Sequence, residues 1–121
     1  MLSSAPATSL GPAPLQNIAQ IAAGGVHTCA LTTAGGVLCW GNNDYGQLGN
    51  GSTTLSSVPV AVNGLSSGVS AISAGYNHTC ALTTAGGVLF WGDGSAGQLG
   101  TAGIGWSTAP VDVLTASVAG D

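Results

Sequence analysis

The chain has 121 residues, of which 45% are hydrophobic, so it is long enough to fold as one modest domain. It contains no lysine and no arginine, and its four aspartates give a formal net charge of −4. Without cations it cannot neutralise phosphates, which argues against binding to nucleic acid or to an anionic membrane surface. No apolar run approaches the roughly 20 residues of a membrane span.

Residues 1–14, MLSSAPATSLGPAP, are predicted to form a flexible lead-in. They lack the positive start and the long apolar centre of a signal peptide. Two copies of one unit are expected to follow, at 15–65 and 66–116, with a short tail at 117–121.

The two units carry the same segment, TCALTTAGGVL, at 28–38 and again at 79–89, which is 51 residues later. The flanking sequence keeps this spacing. His27 matches His78, Trp40 matches Trp91, and GQLG occurs at 46–49 and at 97–100. A repeat of about 50 residues predicts a propeller or a solenoid.

Each unit contains four short β-type runs separated by glycine-rich turns, and no stretch has useful helical periodicity. The predicted strands are 18–23, 26–32, 36–41 and 58–62, then 69–74, 77–83, 87–92 and 109–113. Four strands per unit is the content of one propeller blade. The predicted fold is therefore all-β, with two four-stranded antiparallel blades.

Four motifs recur in the same order within about 15–113: Gly-x-x-His-Thr-Cys-Ala-Leu, Gly-Gly-Val-Leu-x-Trp-Gly, Gly-Gln-Leu-Gly and Pro-Val-x-Val. This series resembles the regulator of chromosome condensation repeat, in a secreted bacterial form. The resemblance implies β-propeller blades, usually seven to a ring. Members of that family include a guanine-nucleotide exchange factor that docks on chromatin, ubiquitin-ligase modules and secreted β-lactamase inhibitors. Exchange and chromatin binding would need a basic surface and further blades, so we do not expect them here.

Several apolar and aromatic positions are expected to build the blade core. Trp40 and Trp91 supply the largest apolar surfaces between the sheets. Leu48 and Leu99, each held between glycines, are expected to plug neighbouring blades.

The histidines and Asp44 have two interpretations each. His27 and His78 occupy the same place in both units, which favours a structural contact, whereas a metal site would need ligands converging from both blades. Asp44 lies in an oxygen-rich segment that could suggest calcium, but the chain has no glutamate, so turn chemistry is favoured. No catalytic set, metal or cofactor is predicted.

The cysteines give the clearest local prediction. Counting inward from the turn at 33–36 places Cys29 directly opposite Cys39, where a disulfide can form. The alternative is that both stay reduced. Cys80 faces Phe90 in the second unit and is therefore expected to be a buried free thiol, with an intermolecular disulfide as the alternative. A disulfide would indicate an extracellular or cell-surface location.

Two blades cannot close a ring, so we expect open faces at 15–23 and 109–118. The favoured function is a self-assembling structural module that binds copies of itself through its blade ends. The alternatives are a fragment of a longer propeller, or a protein-binding propeller that uses Tyr45, Ile104 and Trp106 in its loops.

Overall fold

The structure, a computed structural model, describes residues 13–94 and 105–113, and all regular elements within these ranges are β-strands. The strands are β1 (Ile18–Ala23), β2 (His27–Thr32), β3 (Val37–Gly41), β4 (Ser56–Ala61), β5 (Val69–Ala74), β6 (His78–Thr83), β7 (Val88–Asp93) and β8 (Trp106–Asp112). They form two four-stranded antiparallel sheets in chain order. We call β1–β4 blade 1 and β5–β8 blade 2. The prediction of an all-β chain with two four-stranded blades is confirmed. The unit boundaries at 15–65 and 66–116 stay predictions.

The strand limits differ from the predicted ones mainly in the fourth strand of each blade. β4 begins at Ser56 rather than at 58, and β8 begins at Trp106 rather than at 109. Trp106, expected in a loop, is therefore a strand residue. The sequence at these two starts lacks the alternating apolar pattern that predicts a strand. Ser56 and Ser107 lie there instead, and each hydroxyl donates to a backbone carbonyl of its own strand.

The hairpins between the second and third strands follow the predicted register in both blades. Cys29 pairs with Cys39, and Cys80 pairs with Phe90. In blade 1 the turn requires glycine at Gly35, where φ is +87° and an added Cβ would lie 2.9 Å from the Gly68 nitrogen. The Thr32 hydroxyl accepts the Gly36 N–H at 2.9 Å and closes the turn.

Alternate strand residues point to opposite faces of a sheet. The side chains on the two facing sides pack together and form the hydrophobic core between the sheets. Its members are Ala22, Cys29, Leu31, Val37, Cys39, Leu48, Val62, Leu65, Val69, Ile72, Ala81 and Trp91. We call this contact between the facing sheets the blade boundary. Leu48 is fully buried within it, as expected of a plug. Leu99 lies outside the described residues.

Candidate interaction surfaces

The blade boundary has a polar connection at its inner edge, where β1 meets β5. The Gln20 side chain donates from Nε2 to the Ile72 carbonyl at 2.8 Å and accepts the Ile72 N–H at Oε1, 3.0 Å away. Both backbone groups of Ile72 are thus paired by one amide. Sequence reasoning missed this contact, because the matching position in blade 2 is Ala71 and gives no repeat signal.

A second connection centres on the backbone carbonyl of Gln47, in the Gly-Gln-Leu-Gly motif of blade 1. It accepts the Thr79 hydroxyl and the Trp91 indole N–H, each at 2.9 Å. Both donors are fully buried and belong to blade 2. The Gln47 side chain is itself held by the Tyr45 N–H at 2.9 Å. The motif therefore acts across the blade boundary through its main chain.

His27 lies in the same polar group and is almost fully buried. Its Nε2 is 2.8 Å from the Thr79 hydroxyl, which already donates its hydrogen to Gln47. His27 therefore donates from Nε2, while its buried Nδ1 has no hydrogen-bond partner among the described residues. Burial, aided by the neighbouring His78, lowers the pKa of His27 from 6.5 to about 4. The ring is held neutral.

The disulfide predicted from the hairpin is present: Cys29 is bonded to Cys39. The Cys29 sulfur also lies 3.9 Å from the Thr79 hydroxyl oxygen across the blade boundary. Cys80 is a free, half-buried thiol. Burial raises its pKa, and hydrogen bonds from Ser73 oppose that rise.

Blade 1 turns its other face to solvent, and we call the surface of Ile21, Thr28 and Trp40 its outer face. Ile21 is 54% exposed, whereas Ile72, its counterpart in blade 2, is 4% exposed. Trp40 is only half-buried, although its counterpart Trp91 is fully buried. The expectation that both tryptophans fill space between sheets is therefore wrong for Trp40, since no described sheet packs against it.

Blade 2 also has an outer face, which consists of Cys80, Leu82, Val88 and Phe90. Leu82 is 43% exposed, and its counterpart Leu31 is 4% exposed. Ala71, Ser73, Cys80, Leu82 and Val88 line a shallow apolar groove in this face. The open face was expected at 109–118, but it lies mainly on β6 and β7.

His78, expected in the blade core with His27, is half-buried at the edge of this outer face. Its ring lies 6.0 Å from the ring of Phe90, centroid to centroid. The two histidines thus share a sequence position but have different surroundings. Among residues 13–94 and 105–113, no group of three or more potential metal-ligating side chains occurs.

A further surface is formed where β3 and β7 end and where β2 and β6 begin; we call it the loop end. Tyr45, Tyr76 and Trp106 are exposed there. Trp106 pairs with Asp93, whose N–H donates to the Asn77 carbonyl at 3.0 Å, which places Trp106 beside the Tyr76–Asn77 turn. Ile104 lies outside the described residues. Sequence reasoning missed Tyr76, which replaces Gly25 of the first unit.

Asp44 belongs to the loop end and shows turn chemistry. Its N–H donates to the Asn42 side-chain oxygen at 2.9 Å. The neighbouring Asn43 is fully buried, and its amide nitrogen donates to the Ser52 carbonyl at 2.8 Å and to the Thr54 carbonyl at 3.1 Å. These side chains fold the long connection between β3 and β4. In the part of the chain that the structure describes, no helix has the length and apolar character needed to cross a membrane.

Comparison with known families and proteins gives a consistent result. Two models of the regulator of chromosome condensation (RCC1) repeat match the chain, one at 34–82 and the other at 18–47 and 69–98. The chain is 46% identical over 84 residues to a human protein named probable E3 ubiquitin-protein ligase HERC3, covering 69% of this chain and 8% of that protein. It is 44% identical over 75 residues to human protein RCC2, covering 61% of this chain and 14% of RCC2. It therefore spans only a small part of these relatives.

The similar solved structures are propellers of the same repeat. Yeast RCC1 (Prp20), in a crystal structure bound to Kap60, has a TM-score of 0.72 and 30% identity, with coverage of 88% of this chain and 25% of the other. A structure of Prp20p from Saccharomyces cerevisiae, described together with its binding to Gsp1p and histones, has a TM-score of 0.74 at 21% identity and supports the fold alone. It covers 85% of this chain and 27% of the other.

Proposed function

The chain belongs to the regulator of chromosome condensation repeat family, and we propose that it is a non-catalytic structural module that assembles with copies of itself through the outer faces of its blades. One observation carries this proposal. Positions that are buried at the blade boundary are exposed on the outer faces: Ile72 and Ile21 on one side, Leu31 and Leu82 on the other. Each outer face thus has the chemistry of a surface that packs well elsewhere in the same chain.

The energetic terms favour association. Fully burying an exposed Val, Leu or Ile side chain is worth about 1.5–3 kcal/mol, and Ile21, Leu82 and Val88 are all available. Repulsion is weak, because the net charge is −4 and no lysine protects any strand.

The repeat geometry limits the assembly that can form. Chains of two blades form rings with an even number of blades and cannot make a ring of seven. A closed ring of similar size, with six or eight blades, would contain three or four chains. If the rotation between neighbours does not close, the result is an open fibre.

We also propose an extracellular or cell-surface location. The Cys29–Cys39 disulfide supports it, since such bonds persist in oxidising compartments and are rare in the cytosol.

Sedimentation velocity over a range of concentrations tests the proposal. We expect species larger than the 11.5 kDa chain, and we expect Leu82→Asp to remove them. Leu55→Asp is the matched control, since Leu55 is also exposed but lies outside both outer faces. A folded wild-type chain of 11.5 kDa at every concentration would contradict self-assembly.

A second candidate function is recognition of another protein by the loop end. Three exposed aromatic side chains, Tyr45, Tyr76 and Trp106, lie at this end, and such residues are favoured in protein recognition. Related propellers bind proteins: yeast RCC1 binds Kap60, and Prp20p is described as binding Gsp1p and histones. If Tyr76→Ala and Trp106→Ala abolish a pull-down from the culture medium without changing oligomer size, this function is favoured. Unchanged capture would exclude it.

A further inference from the structure

We propose that the contact between copies repeats the register of the blade boundary, so that Cys80 of one copy lies beside Thr28 of the next. This inference rests on the proposed self-assembly and adds the residues that meet. The outer face of blade 2 has the same place in its repeat as the buried face of blade 1, and the outer face of blade 1 corresponds to the buried face of blade 2. Each contact between copies is therefore obtained by replacing both residues of a blade-boundary contact with their counterparts in the other blade.

The apolar part of this contact is complementary. At the blade boundary, Ile72 of blade 2 packs against blade 1 and is almost fully buried. Its counterpart Ile21 is more than half exposed, and the groove of Ala71, Ser73, Cys80, Leu82 and Val88 is the matching surface on a neighbouring copy. Ile21 therefore enters that groove.

The polar part follows from Thr79, which lies 2.8 Å from His27 Nε2 and 3.9 Å from the Cys29 sulfur. The counterparts of His27 and Cys29 in blade 2 are His78 and Cys80, and the counterpart of Thr79 in blade 1 is Thr28. In the contact between copies, Thr28 of the next copy therefore lies beside His78 and Cys80. Cys80 has no disulfide, although it hydrogen-bonds to Ser73, and no described residue hydrogen-bonds to the Thr28 side chain. Both side chains lie on outer faces, where a neighbouring copy can reach them.

The register is also sterically permitted at the Gly25–Tyr76 contact, where the two blades approach each other most closely. At the blade boundary Gly25 lies against the ring of Tyr76, and a Cβ on Gly25 would overlap that ring. Moving this pair by one repeat places Tyr76 against Gly25 of the next copy. The same large and small residues meet again, in reversed order.

One pair of hydrogen bonds at the blade boundary has no equivalent in the contact between copies, and its absence predicts a weaker interface. Gln20, which pairs both backbone groups of Ile72, is replaced by Ala71 in blade 2. The backbone of Ile21 in the next copy therefore receives no such partner. The contact between copies is weaker than the blade boundary, which allows chains to associate reversibly.

Disulfide trapping tests the register directly. Thr28→Cys places a second thiol beside Cys80 of a neighbouring copy. Under mild oxidation we expect a ladder of covalent dimers and higher species on non-reducing gels, and a peptide that joins residues 28 and 80 in the mass spectrum. Two controls are matched. Thr28→Cys combined with Cys80→Ala removes the partner thiol, and Thr53→Cys places a thiol on an exposed loop instead. Neither should form a specific ladder.

The outcomes separate the register from the self-assembly. If wild-type chains associate in sedimentation but no link between residues 28 and 80 forms, the register is wrong and self-assembly stands. If wild-type chains do not associate, the proposed function fails, and the register fails with it.

A second variant keeps the register testable if Thr28→Cys does not fold. Ala71→Gln restores the missing amide on the outer face of blade 2. Two added hydrogen bonds should tighten the association by roughly five- to a hundredfold, measured as the dissociation constant by sedimentation equilibrium. Unchanged or weaker association of folded Ala71→Gln would overturn the register.

Discussion

Blade 1 and blade 2 contain the same eleven-residue segment in the same hairpin, yet their side chains have opposite surroundings. Leu31 and Val37 are buried, whereas their counterparts Leu82 and Val88 are exposed. On the other faces the order is reversed, since Ile72 is buried and Ile21 is exposed. Because the segment that holds Leu31, Val37, Leu82 and Val88 is identical in the two blades, the difference in their burial comes from which side the neighbouring blade occupies. A repeat thus encodes two complementary surfaces, and only one pair is joined within the part of the chain that the structure describes.

The largest effect that tests this comparison should come from the tryptophans. Trp91→Ala should lower the free energy of unfolding by about 3–5 kcal/mol, as expected for a large fully buried side chain, and it also removes the bond to the Gln47 carbonyl. Trp40→Ala should cost less than half as much in dilute solution, since Trp40 is half-buried. Denaturant titration measures both. Equal losses at low protein concentration would show that the outer face of blade 1 is covered in some other way.

The disulfide is the next difference between the blades, because only blade 1 has one. Reducing it, or the variant with Cys29→Ala and Cys39→Ala, should lower stability by about 2–3 kcal/mol through the larger freedom of the unfolded chain. Cys80→Ala is the control for the loss of a thiol alone and should have a small effect. A chain equally stable with and without reductant would contradict this expectation.

Gln20 tests how strongly the inner edge joins the blades. Gln20→Ala leaves the Ile72 N–H and carbonyl without their partners, which should cost about 1–3 kcal/mol. Gln16→Ala, at an exposed position just before β1, should have almost no effect on thermal or chemical unfolding. If the two variants behave alike, water replaces the Gln20 amide without loss.

A separate effect should appear in the pH dependence of stability. The pKa of His27 is about 4 in the folded chain and near 6.5 when unfolded, so the unfolded state takes up the proton first. The stabilisation from neutral His27 is complete above pH 6.5 and is lost as the pH falls from 6.5 to about 4. His27→Gln should flatten the profile in this window, whereas His78→Gln should keep most of the slope. Denaturation midpoints across the window provide the measurement, and parallel profiles for wild type and His27→Gln would refute the assignment.

Local features of the fold were accessible from the sequence. The glycine turns and the repeat sufficed to place Cys29 opposite Cys39 and Cys80 opposite Phe90. The starts of β4 and β8 were not, because serines that hydrogen-bond to nearby backbone resemble loop residues. The unequal burial of Trp40 and Trp91 could not be inferred either, since both occupy the same place in the Gly-Gly-Val-Leu-x-Trp-Gly motif.

The contacts across the blade boundary were the least accessible. Gln20 has no counterpart that would mark it as special, and the role of Thr79 depends on the Gln47 carbonyl of the other blade. Such contacts follow from how two sheets pack, and pattern within one strand contains no signal for them. Tyr76 was missed for a related reason, since the repeat places a glycine in its position.

The Gln47 carbonyl has a consequence for how the chain folds. The loop that carries it is covalently part of blade 1, but the two donors that hold it, Thr79 and Trp91, belong to blade 2. Neither blade therefore completes its own hydrogen bonding alone. In a linear array this arrangement couples each unit to its nearest neighbour, so unfolding should propagate through both units in one transition. The cooperative unit is then the pair of blades, and in the proposed assembly each added neighbour would raise the stability of the chain before it.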